Sequence, residues 1–186
     1  ELTAEWAFEL GKATTFVLRK ENRRPVAIIG KDTRVSGDML ENAITAGILA
    51  AGGNVIKIGV IPTPAVAYLV KYYEADAGRV ISASHNPFEY NGIKIFNSEG
   101  FKLADSIEEK IEDIIVQKTD INSDISGEKL GKCIEAEEDA LELYSDFLES
   151  TVDISLEGMR IVIDCANGAS YKVAENGIEA LDIFSK

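Results

Sequence analysis

Ser84, His85 and Asn86 stand side by side and put a hydroxyl, an imidazole and an amide into one short stretch. His85 is the single histidine of the chain. Past a turn signal at Asn91-Gly92, the run Ile93-Lys94-Ile95-Phe96 adds an amine at Lys94. A nucleophilic oxygen with an imidazole and an amine in reach suits proton transfer and phosphoryl transfer. Two other readings of these residues stay open: a Ser-His hydrolase, and a solvated loop with no chemistry. Against the hydrolase, adjacent Ser and His rarely align as a triad. The Gly-x-Ser-x-Gly elbow of the α/β-hydrolases is also absent.

The flanking residues say how such a group is presented. Val80 and Ile81 read as the end of a buried strand. In open α/β sheets ligands lie outside the carboxyl ends of strands, which is where Ser84 falls. Pro87 biases Asn86 away from helix, so the polar stretch is expected as an extended loop. Asn-Gly tolerates positive φ and turns the chain back. The returning strand then places Ile93 and Ile95 on one face and Lys94 and Phe96 on the other, from which Lys94 leans toward the serine.

A second polar stretch, Gly30-Lys31-Asp32-Thr33-Arg34-Val35-Ser36-Gly37, follows an apolar strand at 25–30. Small residues, cations and hydroxyls between a strand and a helix can cradle an anion, with Ser36 as helix cap. A solvated turn in which Asp32 and Arg34 pair locally fits equally well. The remaining periodicity reads as helix at 1–20 (stripe Leu2, Trp6, Leu10, Ala13, Val17), helix from Leu40 to a stop at Gly52-Gly53, and strand at 55–61. A helix follows Pro62-Thr63-Pro64, with Thr63 either a cap or a phosphate contact. A strand at 78–82 is next, then helices from Ser106 and over 135–150. Residues 120–131 read as an exposed loop. Glu135, Glu137, Glu138 and Asp139 fall in a first helical turn and complement its dipole rather than form a metal set. Ile161–Ile163 reads as a strand running into Asp164-Cys165-Ala166-Asn167-Gly168 and a helix carrying Val173, Ile178, Leu181 and Phe184. There Asp164 and Asn167 either reach a ligand or build a turn. Helices alternating with short apolar strands define an α/β architecture with crossover connections.

The wording Ser82-Ala83-Ser84-His85-Asn86-Pro87, followed by Asn91-Gly92-Ile93-Lys94, resembles the phosphoserine loop of the α-D-phosphohexomutases. Within that family it is most similar to the bacterial phosphoglucosamine mutases. The resemblance implies a three-layer α/β/α mixed sheet of the family's first domain, over 1–134. A linker helix at 135–157 and an incomplete opening of a similar second domain at 158–186 complete the expectation. It implies Ser84 as phosphoryl carrier, His85 and Lys94 as its catalytic partners, and Arg34 and Asn86 as phosphate-binding residues. Mg2+ is the implied cofactor, held partly through the phosphate on Ser84; the Asp-x-Asp-x-Asp-Arg loop that the family uses for it does not occur in these 186 residues. The implied substrates are a hexosamine phosphate and its bisphosphate, and a homodimer of a full-length protein is compatible. A chain that starts inside helical sequence and lacks the metal loop is expected to be a piece of the enzyme and inactive alone. Other sugar choices within the family, phosphomannomutase or phosphoglucomutase, and a non-catalytic α/β module stay open.

Composition narrows the partners. A formal charge of −13 argues against non-specific binding of nucleic acid or of an anionic membrane surface. No apolar run is long enough to span a bilayer and no secretory leader is legible. Cys133 and Cys165 lack metal-ligand spacing and are expected as reduced thiols, consistent with a cytoplasmic setting.

Overall fold

The computed structural model describes residues 2–21, 23–121, 125–153 and 160–180. Among the described residues, five strands and six α-helices follow one another. They are α1 (Ala4–Val17), β1 (Val26–Lys31), α2 (Ser36–Ala50), β2 (Asn54–Val60), α3 (Thr63–Tyr72) and β3 (Ala77–Ile81), then β4 (Ile93–Asn97), α4 (Asp105–Val116), β5 (Cys133–Glu135), α5 (Glu137–Ser150) and α6 (Tyr171–Ala180). The sheet order is β4-β3-β1-β2-β5. β1 runs parallel to β2 and β3, with Ile28 opposite Ile56 and Gly78, and β2 runs parallel to β5. β4 returns antiparallel to β3, with Val80 opposite Lys94. The expected α/β/α mixed sheet is therefore the one formed.

Alternation along each strand divides the core into two layers. Ile28, Ile58 and Val80 face α3 and α5 through Val66, Leu69, Val70, Ala140 and Tyr144. Ile29, Val55 and Ile81 face α1 and α2 through Ala7, Leu40, Ile44 and Ile48. The crossover from β1 to β2 thus lies on one face. The crossover from β2 back past β1 to β3 lies on the other. This reversal leaves the loops after β1 and β3 as neighbours at the carboxyl edge, the switch point where open α/β sheets take ligands.

Several local expectations change under tertiary packing. Of the expected stripe on α1, Trp6 is half exposed, while Ala13 is buried and Leu2, Leu10 and Val17 pack against the core; α1 also buries the small face Ala7, Gly11, Thr14 and Thr15. The cause is the contact with α2. A Cβ on Gly47 would lie 2.0 Å from the Phe8 carbonyl oxygen, and one on Gly11 2.4 Å from that of Ile44. The buried hydroxyls of Thr14 and Thr15 satisfy themselves by donating to Leu10 O and Gly11 O at 2.6 and 2.8 Å. Thr3 caps α1 by accepting from Trp6 N–H. Neither Ser36 nor Thr63 caps its helix: each is the first helical residue, with no side-chain cap bond. Residues 161–163 form no strand, because no neighbouring strand among the described residues completes a ladder, and Val162 is 96% exposed. Leu181 and Phe184 lie outside the described residues. β5 is a strand that the sequence pattern does not announce, since all three of its residues are exposed.

Arg79, in the middle of β3, is 1% exposed. It sits in register with Ile29 and Ile95, and its Nε and Nη1 have no hydrogen-bond partner. Burial alone pushes its pKa down to about 10. The fold therefore disfavours the charged form that neutral pH imposes, and the charge costs stability there.

Two substitutions check this packing by thermal or denaturant unfolding. Gly47→Ala is expected to lose about 1–3 kcal/mol, because backbone rather than a flexible side chain must give way. Arg79→Met is expected to gain about 1–4 kcal/mol, as apolar replacement of a buried charge commonly does; a loss would show that the guanidinium has a compensating partner.

Candidate functional site

Beyond β3 the chain makes one more rung, Ser82 N–H to Gly92 O at 2.9 Å, and then leaves the sheet. Ser82 Oγ accepts from Ser84 N–H at 3.1 Å, and Asn86 N–H donates to Ala83 O at 3.1 Å. These two bonds fold residues 82–86 into a tight loop. Within it Ser84 has φ +55°, the left-handed region that costs a side-chain-bearing residue roughly 1–2 kcal/mol. The serine is exposed, and its Oγ lies 3.1 Å from His85 Nδ1. When Nδ1 is unprotonated the hydroxyl donates to it, which draws the proton from the oxygen; when Nδ1 carries a proton the hydroxyl accepts.

What holds the loop is Arg34. Its Nη2 donates to Ser84 O at 3.0 Å and to Asn86 O at 2.7 Å. Its Nη1 donates to the Asp32 carboxylate, and Asp32 Oδ1 also accepts from Arg34 N–H at 3.1 Å. Asp32 is buried and anchored to the sheet by its own N–H to Ile81 O at 3.0 Å. Of the two open readings of this stretch, the local pairing of Asp32 and Arg34 forms, and Arg34 in addition reaches across to the serine loop. A second strut lies beside it. Asn91 Nδ2 donates to Ser36 Oγ at 2.9 Å, while Asn91 Oδ1 accepts from Gly92 N–H at 2.8 Å, fixing the turn into β4. Ser36 therefore serves the loop rather than its helix.

Lys94 comes back on β4 directly opposite Val80 and shares its face of the ladder. The rung of Ser82 and Gly92 lies two residues along, about 7 Å away at strand rise. The Lys94 side chain is exposed and has no hydrogen bond or ion pair among the described residues. Ser84, His85 and Asn86 thus share one loop with Arg34 behind it, and Lys94 stands on the adjoining strand. Sequence reasoning missed the partners Asp32–Ile81 and Ser36–Asn91. Their only signal is the coincidence of two polar stretches that each follow a strand.

Metal donors are sparse here. Among the described residues no group of three or more His, Cys, Asp or Glu is arranged to hold an ion. The carboxylate nearest the clasp, Asp32, is taken by Arg34. These residues do not by themselves make a Mg2+ site. Glu137, from the acidic first turn of α5, pairs with Lys172 and covers Gly59, where a Cβ would sit 2.2 Å from its carboxyl carbon.

A three-layer α/β/α sheet with a clasped serine loop at its switch point is a class of ligand-handling domain, and comparison with known proteins says which. Residues 1–122 match the description "Phosphoglucomutase/phosphomannomutase, alpha/beta/alpha domain I", and the chain belongs to that family. It is 53% identical over 174 residues to a phosphoglucosamine mutase of Clostridium novyi (strain NT), covering 94% of this chain and 38% of the relative. It is 53% identical over 175 residues to one of Acetivibrio thermocellus, covering 94% and 39%. Among solved structures, a putative phosphomannomutase of Thermus thermophilus superposes with a TM-score of 0.76 at 23% identity, covering 98% of this chain and 40% of that one. A phosphoglucomutase/phosphomannomutase family protein of Burkholderia thailandensis gives 0.75 at 24% identity, covering 97% and 39%. These structural likenesses carry the fold. The chain spans about two fifths of the length of the relatives it matches.

The clasp makes a prediction of its own. Arg34→Lys keeps the charge but loses the fork that reaches Asp32 and two carbonyls together. Hydrogen exchange measured by mass spectrometry is expected to quicken about tenfold in the peptide spanning 82–92, with the sheet peptides unchanged.

Proposed function

We propose that this chain is the phosphoryl-carrying part of a phosphoglucosamine mutase. The observation that carries the reading is an exposed Ser84 hydroxyl, 3.1 Å from His85 Nδ1, on a loop clasped at the switch point of the sheet. The match to proteins named phosphoglucosamine mutase supports it. In the proposed reaction, phosphorylated Ser84 gives its phosphoryl group to the free hydroxyl of a glucosamine phosphate. The P–O bond to Ser84 Oγ breaks, a P–O bond to the sugar oxygen forms, and the sugar hydroxyl proton passes to a base. The resulting bisphosphate turns over and returns its other phosphoryl group to Ser84. Glucosamine 6-phosphate and glucosamine 1-phosphate are thereby exchanged.

Lys94 and His85 are the groups proposed to take up and return that proton. Arg34 puts a fixed cation behind the loop, and Asn86 adds an amide donor toward the phosphate. Mg2+, when bound, would supply charge neutralisation for phosphoryl transfer; among the described residues, phosphorylated Ser84 is the group that would hold it. Residues 1–134 act in this proposal as the phosphoserine unit, 135–157 as the connecting helix and 158–186 as the opening of a second unit. α5 nevertheless packs into the same core as β2 and α3, through Ala140 and Tyr144. Free Cys133 and Cys165 fit a reducing cytoplasm. No helix among the described residues is long and apolar enough to cross a membrane.

In the complete mutase, Ser84→Ala is expected to lower conversion of glucosamine 6-phosphate by at least about a thousandfold. Intact mass of the active protein is expected to show roughly 80 Da on Ser84. Undiminished turnover by the alanine variant would refute the carrier role. The 186-residue chain alone is expected to show no turnover. The family's other sugars give a second reading, and faster turnover of mannose or glucose phosphates than of glucosamine phosphate would favour it.

A further inference from the structure

Thr33 lies between Asp32 and Arg34, the two residues of the clasp, yet its side chain takes no part in it. Its hydroxyl donates instead to the main-chain oxygen of Asn167 at 2.6 Å, across 134 residues of sequence. Asn167 belongs to a tight turn. Asp164 Oδ1 accepts from Ala166 N–H at 2.8 Å, Gly168 N–H donates to Cys165 O at 2.7 Å, and Ala166 and Asn167 are both left-handed, at φ +47° and +56°. That turn is fixed from behind by α6. Val173 is 5% exposed in the core that contains Val66 and Leu69, and Lys172 pairs with Glu137 over Gly59. A cleft of roughly 670 Å³, lined by Thr33, Asp164, Cys165, Asn167 and Tyr171 among others, opens around the bond.

We propose that Thr33 is a positioning residue for the serine loop, latching the 32–36 segment to the 164–168 turn. The links are short and directional at every step. The turn holds the Thr33 hydroxyl, and Thr33 is bonded in the chain to Arg34. Arg34 holds the carbonyls of Ser84 and Asn86, and those carbonyls hold the left-handed backbone of Ser84. Asp32 ties the same segment to the sheet through Ile81. The segment is thus gripped on three sides, and Thr33 supplies the only side-chain grip on the far one among the described residues. A displacement of the 164–180 segment accordingly reaches Ser84, and by reciprocity the state of the serine loop reaches the turn. Its meaning for catalysis rests on Ser84 being the phosphoryl carrier; the latch itself does not.

The test uses amide exchange by NMR on the 186-residue chain. Thr33 is exposed, so Thr33→Val removes the hydroxyl without disturbing a core. The amides of Ser84 and Asn86, each hydrogen-bonded within the loop, and of Ala166 in the turn are expected to exchange about fivefold faster in Thr33→Val. Sheet amides such as Ile28 and Ile56 and the unfolding midpoint stay unchanged. Thr33→Ser, which keeps the hydroxyl, restores the slow rates, and Thr33→Ala behaves like the valine variant. Loop exchange in Thr33→Val equal to the parent's overturns the proposal, as does acceleration spread evenly through the sheet. Failure of the carrier reading would appear elsewhere, as Ser84 without phosphate in the active protein, and leaves these rates untouched.

Discussion

The structure around Ser84 depends on one guanidinium. A loop that leaves the sheet with a serine in the left-handed region has little of its own to keep it there. Two short bonds inside the loop fold it, and Arg34 fixes it by taking the carbonyls of Ser84 and Asn86 on one nitrogen and Asp32 on another. Bonds from a charged donor are about twice as strong as neutral ones, and a planar fork constrains direction as well as distance. Asp32 keeps the fork aimed, and the bond from Asp32 N–H to Ile81 O anchors the assembly to the last residue of the strand that delivers the serine.

The sheet makes this clasp possible. Because α2 and α3 cross on opposite faces, the strand order reverses between β1 and β3, and the loops that follow these neighbouring strands emerge side by side. A continuous winding in one direction would have separated them. The antiparallel return of β4 does a second job. It brings an amine back along the serine's own strand instead of around a crossover, and the strut between Asn91 and Ser36 fixes where that return begins. Loop, cation and amine therefore follow from three consequences of topology: adjacency of two strand ends, a hairpin, and one polar strut.

The layers behind the site are uneven in quality. The α1–α2 contact is so close that glycine is required on both sides, at Gly11 and Gly47, which fixes the depth at which both helices lie on the sheet. β3 carries Arg79 into the interior without a hydrogen-bond partner for two of its nitrogens. The strand that presents the serine thus carries a buried charge, and the apolar core around it holds it in place.

By itself the sequence determined the local pieces. Short apolar runs set the strands, Gly52-Gly53 ended α2, Asn91-Gly92 marked the hairpin, and the run from Ser82 to Lys94 placed hydroxyl, imidazole, amide and amine in order. Each of these is a property of neighbouring residues and of backbone preferences. Only the tertiary structure decided that Arg34 grips the serine loop through its carbonyls, that Ser36 meets Asn91, that Thr33 meets Asn167, and that Cys133–Glu135 becomes a strand. It also decided that Ile161–Ile163 does not, and that the small face of α1 is buried in place of Trp6. A hydrogen-bond partner dozens of residues away leaves no periodicity, and a ladder forms only where another strand lies alongside. Those outcomes were settled when the sheet order and the two helix faces brought distant segments into contact.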